Sequence, residues 1–265
     1  MFQTLAILAT DVGAAARSTV PTPGLIEKLS IILPGLAVIV IAALGVQFLL
    51  RRRVDWRLVA LVVGILLLNW LILVNGKAIQ LDLIGFQWNW LGKAIAVAAT
   101  LTLVWLLPSV DARDVGLTLK QAPGSTRSVL VVLVLYCAFS WGTELLLEGG
   151  GLRLPTFETL GFQAIMPSAD EELLFRGLAL VLLARAFGEK LPAGSWPGPA
   201  VIALTVLFAL NHAVSFAGGT VHFNAAAFAL TGLFSLVAFW MRLRTGSLLF
   251  PFLLHSATNL GLSFI

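Results

Sequence analysis

Charge is scarce in this chain. Only 11% of its 265 residues are Asp, Glu, Lys or Arg, against roughly 25% in soluble globular domains. Hydrophobic residues make up 59% and mean hydropathy is +0.97. That balance excludes an ordinary water-soluble domain and fits a polytopic membrane protein. Cysteine is scarcer still. Cys137 stands alone inside an apolar run, so an intrachain disulfide is excluded and redox compartment cannot be read. No internal repeat is present, nor any Pro/Gly/Ser-rich linker long enough to separate domains. The chain therefore reads as one membrane domain over residues 1–265. Lys and Arg outnumber Asp and Glu by 17 to 13, but without the basic stripe and interleaved aromatics of a nucleic-acid binder. Nucleic acid is excluded as a partner. The opening residues lack the basic n-region of a signal peptide and are interrupted by Asp11. The Ala-x-Ala at Ala14–Ala16 leaves cleavage open, yet an uncleaved start is expected.

What the chain has in quantity is apolar runs. Spans are expected over about 29–50, 58–74, 94–107, 128–147, 160–187, 199–217, 224–241 and 248–265. A membrane helix needs about 20 residues, with a range of roughly 17–25. The fold class is accordingly all-α: a polytopic integral membrane helix bundle of about eight transmembrane helices, with the lipid bilayer as its partner. Alternate loops differ in basic residues. One set holds Arg51, Arg52, Arg53, Arg57, Arg113, Lys120, Arg127, Arg185, Lys190, Arg242 and Arg244; the other holds Arg17, Lys28, Lys77, Lys93 and Arg153. The richer set belongs in the cytoplasm, which places both termini outside a membrane expected to be a bacterial plasma membrane. Trp88 and Trp90 read as interfacial anchors. Gly149-Gly150-Gly151 and Pro192-Ala193-Gly194 mark loops. Asp111 to Lys120, with Val115, Leu117 and Leu119 among its charges, reads as a short interfacial segment.

Against this background Asp170-Glu171-Glu172-Leu173-Leu174-Phe175-Arg176 is anomalous. A charge at mid-bilayer depth costs about 2.5–3.5 kcal/mol on insertion scales, and four lie within one expected span. Glu172 and Arg176 are spaced i, i+4 and share a helix face, so an ion pair is open to them. That pair suits a structural network as well as a functional one. Glu171 points about 100° away on a regular helix and needs another partner. Downstream, Phe208-Ala209-Leu210-Asn211-His212 puts a histidine in the sixth span. His255-Ser256-Ala257-Thr258-Asn259 puts another in the eighth, with an asparagine one turn later. The chain has three histidines. One intramembrane histidine alone is commonly an interhelical hydrogen-bonder; two of them beside a carboxylate pair point to a site. His222, beside Gly218-Gly219, reads as an interfacial loop residue.

Glu171-Glu172-x-x-x-Arg176, Phe208-x-x-x-His212 and His255-x-x-x-Asn259, in that order and each in an apolar span, resemble the three motifs of a known family. It is the CAAX protease and bacteriocin-processing (CPBP, or ABI) family, which includes the type II CAAX prenyl endopeptidases. The resemblance covers roughly Gly161 to Ile265, making about 160–265 the motif-bearing core. It implies an intramembrane endopeptidase whose substrate is a membrane-associated protein or peptide, of lipidated CAAX type or bacteriocin type. Carried over by resemblance, Glu171 is the catalytic carboxylate and His212 its partner. His255 and Asn259 bind the substrate carbonyl or its oxyanion. Glu172 and Arg176 complete the first motif, and Phe208 packs the site. Asp170 has no assigned role.

The residue types suit this chemistry. Amide hydrolysis needs an activated water, a proton carrier for the leaving amine and donors aimed at the oxyanion. A sheltered carboxylate can act as base and then as acid, and an asparagine amide is a suitable oxyanion donor. Cys137 has no basic neighbour in sequence and Ser256 lacks a nucleophile-elbow context. Glu171, His212 and His255 could instead hold a catalytic Zn2+ with water in the fourth position. The H-E-x-x-H signature is absent, and a metal-free glutamate mechanism uses the same residues, so zinc stays open; no organic cofactor is expected. Intramembrane Asp, Glu and His also mark proton relays, which keeps a proton- or ion-coupled transporter as an alternative. No inverted repeat or pair of broken helices supports it. A non-catalytic, peptide-binding member of the same family is the third reading.

Overall fold

The computed structural model describes residues 25–79, 86–147, 151–191, 196–217 and 220–265. The start of the chain, with Asp11, Ala14–Ala16 and Arg17, lies outside them. So do Gly149-Gly150, Pro192-Ala193-Gly194 and Gly218-Gly219. The described chain is mostly helical: α1 (Leu25–Phe48), α2 (Trp56–Ile79), α3 (Trp90–Leu106), α4 (Thr126–Leu147), α5 (Phe157–Glu171), a π-helical segment (Glu172–Ala179), α6 (Leu180–Ala186), α7 (Pro199–Ala213), α8 (Ala225–Thr245) and α9 (Leu249–Ser263). Between α7 and α8 lie strands β1 (Val214–Ala217) and β2 (Thr220–Phe223), paired antiparallel with Ser215 opposite His222.

Each expected span overlaps helical structure, though about eight membrane-crossing helices are not shown. Among the described residues three stretches are long and apolar enough to cross a membrane: Trp56–Gly76, Thr126–Leu147 and Ala225–Thr245. Ile32–Phe48, Trp90–Leu106 and Pro199–Ala213 are apolar but shorter. The sixth expected span stops at Ala213, because Val214 to Ala217 leaves the helix for the hairpin. His222 accordingly sits on an exposed strand, with its Nε2 2.9 Å from Thr220 Oγ1.

The chain divides into two compact units, one of Leu71–Val181 with Ala238–Ile265 and one of residues 25–70 with Leu182–Val237. In the first, small residues bring α5 against α9. Ser256 Oγ donates to the Ala164 carbonyl at 2.7 Å and lies 3.0 Å from Ser168 Oγ, whose hydroxyl can donate to it. The stretch expected to lie at the interface, Asp111 to Lys120, forms turns rather than a helix, and its backbone serves as a clamp. Leu248 N donates to Gly116 O at 2.9 Å, Arg242 Nη2 to Asp114 O at 2.6 Å, and Ser247 Oγ to Thr118 O. Gly116 has φ +82°, and a Cβ there would meet the Arg242 guanidinium at 2.6 Å. Only glycine meets both demands. In the second unit α1 packs on α7, with Gly35 facing Leu207 and Asn211.

Candidate active site

The first motif lies where α5 gives way to π-helical backbone. Pro167 inside α5 lacks a backbone donor, which weakens the regular ladder. From Glu172 to Ala179 the bonding is π-type, an arrangement frequent at functional sites. The ion pair available from the spacing forms: Arg176 Nη1 donates to Glu172 Oε1 at 3.1 Å. The guanidinium also lies 4.9 Å from the Phe239 ring centroid. Both charged side chains are buried, so each depends on the other. Removing one partner of such a pair costs about 3–5 kcal/mol.

Glu171 finds its partner on another helix. Lys93 Nζ donates to Glu171 Oε1 and to Asp170 Oδ2, both at 2.8 Å. Lys93 is a residue that sequence reasoning missed as part of the site, having counted it among the loop cations. Its position directly before the span starting at 94, together with an acid left over at Asp170, was the available clue. The start of α3 is fixed by its cap. Asn89 Oδ1 accepts from Gly92 N at 3.0 Å, and Asn89 Nδ2 donates to Leu73 O at 2.9 Å. This sets Lys93 in the first turn of α3. Trp88 and Trp90, expected as interfacial anchors, both pack on Phe162 of α5, at ring centroid distances of 5.1 and 5.3 Å.

His255 meets both glutamates. Its Nδ1 is 2.8 Å from Glu172 Oε1 and its Nε2 is 3.9 Å from Glu171 Oε2. Glu172 already accepts from Arg176 and is the natural acceptor for an Nδ1–H, which leaves Nε2 facing the Glu171 carboxylate. Asn259 follows one turn along α9 and is half-buried. Glu171, Glu172, Arg176, His255 and Asn259 thus all belong to the first unit.

Phe208 and His212 belong to the second. His212 lies in the last turn of α7, its Nδ1 2.8 Å from the Phe208 carbonyl oxygen. A carbonyl only accepts, so the hydrogen is on Nδ1 and Nε2 is the accepting nitrogen. The Phe208 ring packs on the imidazole at 4.6 Å and stacks on Phe234 at 6.0 Å.

Among the described residues no three His, Cys, Asp or Glu side chains cluster as a metal site. Glu171 carries the Lys93 ammonium on Oε1 at 2.8 Å, so a metal would meet this carboxylate through Oε2, the oxygen facing His255 Nε2. What the arrangement can do is hold and pass a proton. A carboxylate lies between an ammonium on one oxygen and an imidazole nitrogen facing the other.

Residues 154–261 match the family model described as type II CAAX prenyl endopeptidase Rce1-like. That stretch contains all three motifs and excludes Lys93. No curated protein and no solved structure matches the chain.

Proposed function

We propose, from the match of residues 154–261 to the type II CAAX prenyl endopeptidase Rce1-like family model, that this chain is a membrane endopeptidase of the CAAX protease (CPBP) family using a glutamate-activated water. Its substrate is a membrane-associated protein or peptide, of lipidated CAAX or bacteriocin type. Glu171 takes a proton from water as the water oxygen attacks the scissile carbonyl carbon. The C–N bond then breaks as the leaving amine receives the proton that Glu171 took from water, with His212 the motif's second proton carrier. Its accepting Nε2 suits that role. Asn259 donates its amide N–H to the carbonyl oxygen as negative charge develops on it, and His255 does the same when Nε2 also carries a hydrogen. Glu172 and Arg176 hold His255 in place, and Phe208 holds His212.

The observation that carries this reading is the placement of Glu171, with Lys93 Nζ at 2.8 Å and His255 Nε2 at 3.9 Å. A carboxylate held this way is equipped for proton transfer beyond any structural pairing, since Arg176 is already paired with Glu172. The test uses purified protein in lipid vesicles with a prenylated CAAX-type peptide. Glu171→Ala, His212→Ala and His255→Ala each lose about 100- to 10,000-fold in cleavage while still inserting. Wild-type turnover by the Glu171 variant sinks the assignment. Solute flux driven by a pH gradient, with no cleavage, would put the transporter reading in its place.

A further inference from the structure

We propose that Lys93, which lies outside the three motifs, is the positioning residue of Glu171. Its ammonium, braced by Asp170, holds one carboxylate oxygen and turns the other toward His255. The inference rests on Glu171 being the carboxylate that activates water.

The geometry supports more than a stray surface pair. Lys93 Nζ lies 2.8 Å from both Asp170 Oδ2 and Glu171 Oε1, and the three side chains are 12%, 1% and 18% exposed. Charges this sheltered are weakly screened, so the pairing is strong and directional. With Oε1 on the ammonium, Oε2 is the oxygen left toward His255 Nε2, at 3.9 Å. Rotating the carboxylate to present both oxygens elsewhere would strip the ammonium of one acceptor.

Lys93 is also anchored at its root. Glu158, in the first turn of α5, accepts from Gln87 N, Trp88 N and Trp90 Nε1 at 2.9, 3.0 and 3.3 Å. Trp88 Nε1 donates to Thr159 Oγ1 at 3.1 Å. The approach to α3 is therefore pinned to the start of α5, while Lys93 reaches the residues at its end. These two attachments set the ammonium at a fixed place relative to Glu171.

Asp170 acquires a reason to exist. During turnover Glu171 must take a proton and lose its negative charge. If Lys93 had no other acid, its ammonium would then be a buried cation without a counter-charge, which is costly. Asp170 remains as that counter-charge, so Glu171 can gain and lose a proton without disturbing the cation. One ammonium shared by two carboxylates leaves one net negative charge, enough to accept a proton. Of the neighbouring charged and titratable groups, Glu172, Arg176 and His255 are paired with one another.

The experiment compares Lys93→Ala, Lys93→Arg, Asp170→Asn and Glu171→Gln in full-length protein in vesicles, with a prenylated CAAX-type peptide. Misplacing a reacting group by about 1 Å can cost about 100-fold, and Lys93→Ala should lose kcat on that scale with KM little changed. Lys93→Arg, or methylammonium added to Lys93→Ala, restores part of kcat; Asp170→Asn loses less than Lys93→Ala. A second readout needs no substrate. The infrared carboxylate band that disappears in Glu171→Gln should shift in Lys93→Ala and return toward its place in Lys93→Arg. Wild-type kcat in Lys93→Ala, a loss that neither arginine nor methylammonium reverses, or an unmoved infrared band overturns the proposal. An active Glu171→Gln variant instead removes the underlying reading, so the two failures are distinct.

Discussion

The two motif histidines are held by the same ring nitrogen in different ways. His212 places Nδ1 on the carbonyl of Phe208, one turn back on its own helix. His255 places Nδ1 on Glu172, 83 residues away in sequence, and Glu172 is held in turn by Arg176. The first clamp is backbone and forms whenever α7 forms. The second is a chain of buried charged side chains that exists only when α9 and the π-helical segment have packed together. The contrast teaches that the two glutamates of the first motif are placed differently: Glu172 is tied to Arg176 and His255, while Glu171 pairs with Lys93 and faces His255 Nε2, the placement the proposed chemistry uses.

That contrast can be broken at several points. The largest effect on stability should come from Arg176→Met. It leaves Glu172 buried without its counter-charge, at a cost of about 3–5 kcal/mol, and it loosens His255. Thermal unfolding in detergent should fall sharply, and a variant melting with wild type would show that the pair carries little. On the α7 side, Phe208→Leu keeps the apolar volume but removes the ring from His212 and Phe234. It should cost about 1 kcal/mol and leave the backbone clamp intact, so cleavage drops far less than in His212→Ala. A loss as deep as His212→Ala would show that the ring, not the carbonyl, orients this histidine.

The smallest effect concerns the other end of α7. Glu189 Oε1 accepts from Ala200 N at 3.0 Å. Burial pushes its carboxyl above the ordinary range, partly offset by that N–H and by Arg52. A folded state that binds this proton more tightly than the unfolded chain gains stability at low pH. The gain is complete below the unfolded value near 4.3 and is lost as pH rises through the folded one. Glu189→Gln should therefore flatten the fall in melting temperature just above about pH 4.3. An unchanged pH profile would contradict the burial of this cap.

Much of this site was legible because it is local. The Glu172–Arg176 pair and the Phe208–His212 stack both follow from residues one turn apart on a helix. The three motifs in order led to the family before any geometry was known. Contacts distant in sequence were not legible. Lys93 reaches Asp170 across 77 residues, and no periodicity encodes that meeting; a span boundary drawn at Ala94 put the lysine in a loop. The π-helical turn was hidden because Glu172 and Arg176 can pair in regular helix as well. The hairpin was hidden because Val214-Ser215-Phe216-Ala217 extends the apolar run of α7. Trp88 and Trp90 suited a membrane interface by composition, yet their rings pack on Phe162.

The division of labour between the adjacent glutamates is tested most directly by Glu171→Gln and Glu172→Gln, assayed together for peptide cleavage and thermal unfolding. Glu171→Gln should abolish cleavage and melt near wild type, whereas Glu172→Gln should lower the melting temperature through Arg176 and His255. Full cleavage by Glu171→Gln, or an undisturbed fold in Glu172→Gln with its cleavage abolished, would contradict the account.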